Sequence, residues 1–468
     1  MLKSNIILSC LLLGLSSVTP AKTIAKGKRR PNILFILADD QRNDLLSCAG
    51  HPVVKTPTID RLAKKGVRFT NAFVTTSICA ASRATILTGL YEYKHGYTFG
   101  KEPIKQEDMK ISYPYMLKRS GYKTGFVGKL GIRFKDQQTL IDSLFDYNKV
   151  TDKNAPYFEY AKDGTRRHSA EVKGDQAIEF INQQHAEQPF CLSVSFNAVH
   201  AVDSNRKPGN EGHYPYPEST KDMYRNVVMP TPKLLSQEII NSHPNFLKTS
   251  INRERYFWRW DTPEKYQVNM RAYFRMITGY DQVISKMIKA LKRKGLAKNT
   301  VIIYMSDNGY YMGERGFAGK WSHYEESLRI PMIIYDPRMR KKDVGRTVDH
   351  MALNLDIAAT IMDYAGVPNP TRNQGISLMD AVEQKDFISK RSCFFIEHRM
   401  DHRKIPKYYG VRSSRYVYVN YYDQNPNYEF LHDLDVDPSQ RINYAKDPAY
   451  KEIIRKLSVE CRSINGTR

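Results

Sequence analysis

Four short apolar runs constrain this chain more than any other feature. "PNILFILADD", "TGFVGK", "PFCLSVSFNAVH" and "NTVIIYMSDNG" are rich in aliphatic and β-branched residues, and each stops at polar ones. Runs of this kind read as strands buried on both faces, as in parallel sheets. Between them lie helical patterns, including "TPTIDRLAKKG" and the stretch from Met270 to Gly295. Strands alternating with helices predict an α/β fold with a large doubly wound mixed sheet flanked by helices. Ligands of such sheets gather at the carboxyl ends of the strands. Here those ends carry Asp39 and Asp40, Lys129, His200, and Asp307 with Asn308.

A chain of 468 residues exceeds one typical domain, so two unequal lobes are expected. The character changes near residue 391, where short aromatic segments ("SCFFIEH", "YYGVRSS", "RYVYVNYY", "YEFLHDL") precede a closing helical pattern. The reading is a main domain over 30–390 and a smaller C-terminal α+β lobe over 391–468, built on a short antiparallel sheet. Residues 203–266 lack clear periodicity and are rich in Pro, Asn, Tyr, Arg and Trp, which predicts a long functional rim.

The amino terminus, "MLKSNIILSCLLLGLSSVTPA", has a Lys, a short apolar run and small residues. Residues 1–21 therefore read as a signal peptide cut near Ala21, and the mature protein as secreted or periplasmic. A lipid on Cys10 is the alternative. No later segment is long and apolar enough to span a bilayer. Cutting at Ala21 leaves Cys48, Cys79, Cys191, Cys393 and Cys461 without a framework spacing, and an odd number leaves at least one thiol unpaired. The net charge of +23 draws anionic partners. Nucleic acid is set aside, because the chain has no zinc-finger spacing, RNP-like strand or heptad-linked basic helix. A polyanionic extracellular substrate fits better.

Asp39, Asp40, Asp307 and Asn308 supply only oxygen ligands, which suits calcium or magnesium rather than zinc. In "VTTSICAASRATILTG", Cys79 opens a helical segment with Arg83 four residues on. A lone cysteine among small residues is ordinarily core. The surrounding motifs change that reading. "PNILFILADDQ", "CAASR" with "TILTG", "GFVGK", "SFNAVH", "SDNG" and "GKWSHYEESLRIPMIIYDPR" occur in this order over nearly all of the mature chain. Together they resemble the type I sulfatases of the alkaline phosphatase superfamily.

The resemblance implies a sulfuric ester hydrolase in which a maturation enzyme oxidises Cys79 to formylglycine, whose hydrate is the nucleophile. It implies a calcium ion (or magnesium) held by Asp39, Asp40, Asp307, Asn308 and the modified Cys79. Arg83 would steady the hydrate, Lys129 and Lys320 would hold sulfate oxygens, and His200 would contact sulfate and protonate the leaving alcohol. A gem-diol attacks sulfur through one oxygen and expels sulfate by collapsing through the other, which a serine does not do.

Two departures stand out. The family motif commonly continues G-K-W-H, but here the run is "GKLGI" with Gly131 in place of the histidine proposed as elimination base. His95 and His51 are the candidate substitutes. The signature is also C-x-A-x-R rather than C-x-P-x-R, which points to a different class of maturation enzyme. For substrate, "IEHRMDHRKIPKYYGVRSSRYVYVNYY" and "FWRWD" stack aromatic and basic residues, and His398, Arg403 and Arg412 are expected to line a groove for a sulfated polysaccharide or oligosaccharide. A carrageenan-like galactan is the first guess. The rivals are a phosphodiesterase or phosphonate hydrolase of the same superfamily and a non-catalytic sulfated-glycan binder.

Overall fold

The computed structural model describes residues 29–151, 156–160, 163–209, 212–389 and 391–465. The signal-peptide reading of residues 1–21 and the alternative at Cys10 lie outside them. The main strands are β1 (Asn32–Ala38), β2 (Val67–Phe69), β3 (Lys123–Lys129), β4 (Tyr147–Thr151), β5 (Phe190–Ser195), β6 (Thr300–Ser306), β7 (Met332–Tyr335) and β8 (Arg346–Val348). They form one sheet in the order β8-β2-β7-β6-β1-β5-β3-β4. β1 runs parallel to both β5 and β6, while β7 is antiparallel to β6 and β2 and makes the sheet mixed.

Alternation along β1 explains the layers. Ile33, Phe35 and Leu37 enter one apolar cluster and Leu34, Ile36 and Ala38 the other. The first is covered by α2 (Cys79–Thr88), α3 (Tyr113–Arg119) and α7 (Asp356–Ala365), through residues such as Ala84, Leu117 and Ile361. The second is covered by α1 (Pro57–Lys65), α4 (Ser169–Asn182) and α6 (Pro263–Arg293), through Ile59, Phe180 and Ile277. The helix expected from Met270 to Gly295 is thus α6, and it begins about two turns earlier, with Pro263 at its first position and the Thr262 side chain capping the Lys265 amide.

The C-terminal lobe is an antiparallel sheet of β9 (Cys393–His398), β10 (Tyr408–Ser413), β11 (Tyr416–Tyr421) and β12 (Tyr428–Asp433), followed by α8 (Lys451–Asn465). Phe394, Val411 and Val419 join the same cluster as Ile33 and Phe35. The change near residue 391 is therefore a change of architecture within one continuous core.

One expectation is corrected. Residues 203–266 include α5 (Ile251–Arg259) and shorter helices at Gln237–Ser242 and Asn245–Lys248. The buried positions of α5 are Asn252, Tyr256, Trp258 and Arg259, so half of its inward side chains are polar and apolar periodicity fails to show it.

Candidate active site

The carboxyl ends of β1, β3, β5 and β6 meet the amino terminus of α2. Asp40, just beyond β1, has φ +60, a left-handed conformation that few non-glycine residues adopt. Its neighbours pin it there: its amide donates to Asp307 Oδ1 at 3.2 Å, and its carbonyl accepts from Tyr273 Oη at 2.8 Å. The two acidic strand ends are thereby locked side by side. Asp40 Oδ1 accepts from Asn308 Nδ2 at 2.6 Å and from Lys320 Nζ, which is also 3.1 Å from Asn308 Oδ1.

Lys129 Nζ donates to Asp39 Oδ2 at 2.6 Å. Arg83 rises one helical turn beyond Cys79 and spans the site. Its Nε donates to Asp307 Oδ2 at 2.8 Å, its Nη1 to Ser195 Oγ at 2.6 Å and to the Lys129 carbonyl, and its Nη2 lies 3.4 Å from Asp39 Oδ2. Every member of this cluster is buried, and such charges persist only when paired. Burial works to raise the Asp39 pKa, but Lys129, His200, Arg83 and Lys320 outweigh it and hold the carboxyl well below the usual range. Burial and the Asp39 charge push Asp307 the other way, upward.

Cys79 is the first residue of α2, and no side chain caps that helix. The first amides of the helix are left without a side-chain cap, an arrangement suited to an anion. Burial raises the Cys79 thiol pKa despite the nearby lysines Lys129 and Lys320. A thiol held protonated is a poor nucleophile, so Cys79 lacks the depressed pKa of a catalytic thiolate. None of the five described cysteines forms a disulfide.

His200 follows β5. Its Nδ1 is 2.6 Å from the Ala201 carbonyl, so that nitrogen carries the proton and Nε2 faces the acidic cluster, 3.6 Å from Asp40 Oδ2. Donor atoms of Asp39, Asp40 and His200 lie within 4.8 Å of one another. Asp39 Oδ1 and Asp40 Oδ2 are buried without a hydrogen-bond partner among the described residues. Two orphaned carboxylate oxygens beside further oxygen donors fit a hard divalent cation. Asp307 and Asn308 also stand at this point, with protein donors on their oxygens.

Gly131 explains one departure. It has φ +71, and a Cβ there would lie 2.9 Å from Arg83 Cδ and 3.6 Å from Lys129 Cε. The chain crosses so close over these two cations that a side chain is excluded. The candidate substitutes are tied elsewhere among the described residues: His95 bonds Thr85 Oγ1 and accepts from the Tyr97 amide, and His51 accepts from the Val53 and Val54 amides. Both rings are held by local structure.

The residues expected to line the substrate groove divide. Arg403 is exposed on the loop joining β9 and β10. That loop reaches the site: Ile405 packs with Trp321, Ile78 and Ala81, and the Lys404 carbonyl accepts from the Ile251 amide. His398 is fully buried against Tyr408, and Arg412 pairs with Glu325 and lies over the Phe73 ring. His398 is therefore closed off in the core, whereas Arg412 lines a cavity of about 400 Å³ together with Glu325, Arg329 and Arg391, a lining that includes none of the residues around Cys79. Ser195 and Tyr273, which orient Arg83 and Asp40, had no sequence signal, since an isolated hydroxyl in an apolar run looks the same wherever it points.

A doubly wound sheet with buried cations and carboxylates converging on a helix amino terminus defines a hydrolase of anionic esters. The sequence profile of the sulfatase family matches residues 31–367, and that of the N-sulphoglucosamine sulphohydrolase C-terminal region matches residues 313–466. The chain belongs to the sulfatase family, in the alkaline phosphatase superfamily, and is a sulfuric ester hydrolase. It is 27% identical to an N-acetylglucosamine-6-O-sulfatase of Bacteroides thetaiotaomicron over 96% of this chain and 89% of that protein. It is 25% identical to an ulvan-active sulfatase of Formosa agariphila over 92% and 80%. A structure solved with its substrate, D-glucosamine-2-N,6-O-disulfate, superposes with TM-score 0.75 at 24% identity over 94% of this chain and 98% of that one. The phosphonate monoester hydrolase of Agrobacterium radiobacter does so with TM-score 0.75 at 23% over 93% and 96%. These two structures show a shared fold.

Proposed function

We propose that this protein is an exported sulfatase that removes sulfate from a sulfated sugar, with an amino-sugar sulfate of the N-acetylglucosamine 6-sulfate type ahead of the galactans first considered. The order rests on the relatives: the sulfatase quoted first acts on N-acetylglucosamine by name, whereas the neighbour bound to a neocarrahexaose superposes less closely, with TM-score 0.67. Export rests on residues 1–21, and no helix among the described residues is long and apolar enough to cross a membrane.

The observation that carries the reading is Cys79 at the uncapped start of α2, with Arg83, Lys129 and Lys320 converging beside it. Oxidised to formylglycine by a maturation enzyme, this residue supplies a hydrate with one oxygen to attack sulfur and another to collapse and release sulfate. Asp39, Asp40, Asp307 and Asn308, with the modified Cys79, are the proposed holders of a calcium ion, which supplies Lewis-acid polarisation and lowers the pKa of a bound hydroxyl. The protein's own groups do the rest. Lys129, Lys320 and the α2 amides hold sulfate oxygens in a site without bulk water, where fixed charges act strongly. Arg83, braced on four sides, keeps the nucleophile over them. His200, protonated at Nε2 as well as Nδ1 for this step, gives the Nε2 proton to the departing alcohol and is left as the neutral Nδ1–H imidazole.

The test pairs peptide mass spectrometry of residue 79 from a host that matures sulfatases with sulfate release from N-acetylglucosamine 6-sulfate. Aldehyde at residue 79, sulfate release by the wild type and none by a folded Cys79→Ala are expected. Undiminished turnover by Cys79→Ala refutes the mechanism, and a higher kcat/KM on a phosphonate monoester moves the protein to the phosphonate hydrolase class.

A further inference from the structure

A second charged cluster lies on the rim beside His200 and has no part in the chemistry above. Asp203 stands three residues beyond His200, and its Oδ2 is 3.7 Å from His200 Nε2. Its Oδ1 is 3.0 Å from Arg255 Nη1 and 3.6 Å from Arg259 Nη2. Both arginines come from α5. Arg259 is fully buried and donates to Tyr310 Oη at 2.7 Å, and Arg255 lies 4.8 Å over the ring of Trp321, the neighbour of Lys320. By contrast, 42% of the Asp203 side chain is exposed. Two inward cations thus hold the buried Oδ1 of a carboxylate that is otherwise partly exposed beside His200.

That carboxylate stays ionised: burial works against it, but His200, Arg255, Arg259 and Lys320 together hold its pKa well below the usual range. The backing is also in surplus. Arg255 Nε and Arg259 Nε and Nη2 are buried without a hydrogen-bond partner among the described residues. Fixed acceptors of this kind bind hydroxyl and amine donors of a ligand, and reject anions.

We propose that Asp203 is a specificity-determining residue that accepts a hydrogen bond from a hydroxyl or amino group one or two carbons from the sulfate ester. This rests on the sulfatase reading of the site. The nitrogen that serves the ester's leaving oxygen is His200 Nε2, and Asp203 Oδ2, on a partly exposed side chain, stands 3.7 Å from it. A sugar whose ester oxygen sits at His200 therefore turns its adjoining hydroxyl toward Asp203. The substrate class that follows is a sugar sulfate with a free donor beside the ester. A second sulfate at that position meets the carboxylate's charge and is disfavoured, and an aryl sulfate has nothing to offer it.

The experiment is a cycle of substrates and variants on the matured full-length enzyme. kcat/KM is measured for N-acetylglucosamine 6-sulfate, its 3-deoxy and 4-deoxy analogues and 4-nitrophenyl sulfate, with wild type, Asp203→Asn and Asp203→Ala. The wild type is expected to disfavour the 4-deoxy analogue, which lacks the hydroxyl two carbons from the ester, by about 10- to 100-fold, the worth of a hydrogen bond to a charged group. It should turn over the 3-deoxy control nearly as well as the parent sugar, and a loss confined to the 3-deoxy analogue overturns the proposal. In Asp203→Ala that discrimination vanishes, and sugar turnover falls more than aryl turnover. Asp203→Asn keeps a neutral acceptor and is expected to lie between, which preserves the test if the alanine variant folds poorly. Equal losses on sugar, deoxy sugar and aryl sulfate overturn the proposal, since Asp203 would then act through His200 or the fold. Undiminished discrimination in Asp203→Ala overturns it too. A matured wild type that releases sulfate from no substrate overturns the sulfatase reading itself, and this proposal with it.

Discussion

Replacing Gly131 by histidine, the residue common in the family at this position, is expected to damage the enzyme rather than restore a missing base. The backbone there has φ +71. Forcing an L side chain into the left-handed region costs about 1–2 kcal/mol. The new Cβ would also stand 2.9 Å from Arg83 Cδ, closer than side chains pack. That atom lies mid-stem, and the guanidinium beyond it is fixed by Asp307, Ser195 and the Lys129 carbonyl. Relief requires moving Arg83, and misplacing a positioning group by about 1 Å costs about 10²-fold. Gly96→Ala is the control: it has φ +67, and nothing lies within 4 Å of its added Cβ. Both variants should lower Tm by a few degrees, while only Gly131→His, and to a lesser degree Gly131→Ala, should cut turnover of 4-nitrophenyl sulfate, by tenfold or more. A Gly131→His enzyme with wild-type Tm and faster turnover would refute the argument.

Chelation by EDTA should abolish activity and lower Tm, because a ligand bound only by the folded state stabilises it by about 2.7 kcal/mol at 100 times its Kd. Calcium or magnesium should reverse both effects in a thermal melt, and recovery with zinc alone would contradict the oxygen-ligand site. His200→Ala should slow sugar sulfate hydrolysis by about 10²- to 10⁴-fold, and 4-nitrophenyl sulfate, whose leaving group is stable as an anion, far less. Equal losses on both would remove the general-acid role. Burial, then His402 and Lys407, pushes the His398 pKa down to about 3. Between about 6.5 and that value the unfolded chain binds a proton that the folded one does not, so stability falls as pH falls, by up to about 1.4 kcal/mol per pH unit for one group. His398→Gln should therefore show a shallower loss of Tm from pH 7 to pH 5 than wild type, and an unchanged slope would remove His398 from the acid response.

Strand ends are the part of this site most legible in a linear chain. A buried strand announces itself by an unbroken apolar run, and the residue that ends it stands at the edge of the sheet whatever the rest of the molecule does. Asp39, Lys129 and Asp307 could be placed together for that reason, and the same logic gave the alternation of strands and helices along the chain, whereas His200 stands five residues beyond the end of β5 and was legible only through the family motif. The residues that aim them were hidden. Tyr273 reaches Asp40 from the middle of α6, and Ser195 reaches Arg83 across 112 positions. Such partnerships depend on which face of an element turns inward, and only packing decides that.

The same distinction separates the remaining hits from the misses. Composition alone carried the net charge of +23 and with it the preference for an anionic partner. It also made the arginines and histidines of the C-terminal lobe look alike, although Arg403 is exposed and Arg412 is committed to Glu325. Helix α5 has no clear apolar period because its buried side chains include Asn252 and Arg259, each of which bonds a partner far along the chain, Lys320 and Tyr310. Gly131 read as a lost catalytic residue until its backbone was seen crossing over Arg83. Local apolar order is written in neighbouring residues and survives in a linear reading, whereas polar pairing and the close crossing at Gly131 are settled by contacts between residues far apart along the chain, such as the 51 positions between Arg259 and Tyr310 and the 233 between Tyr273 and Asp40.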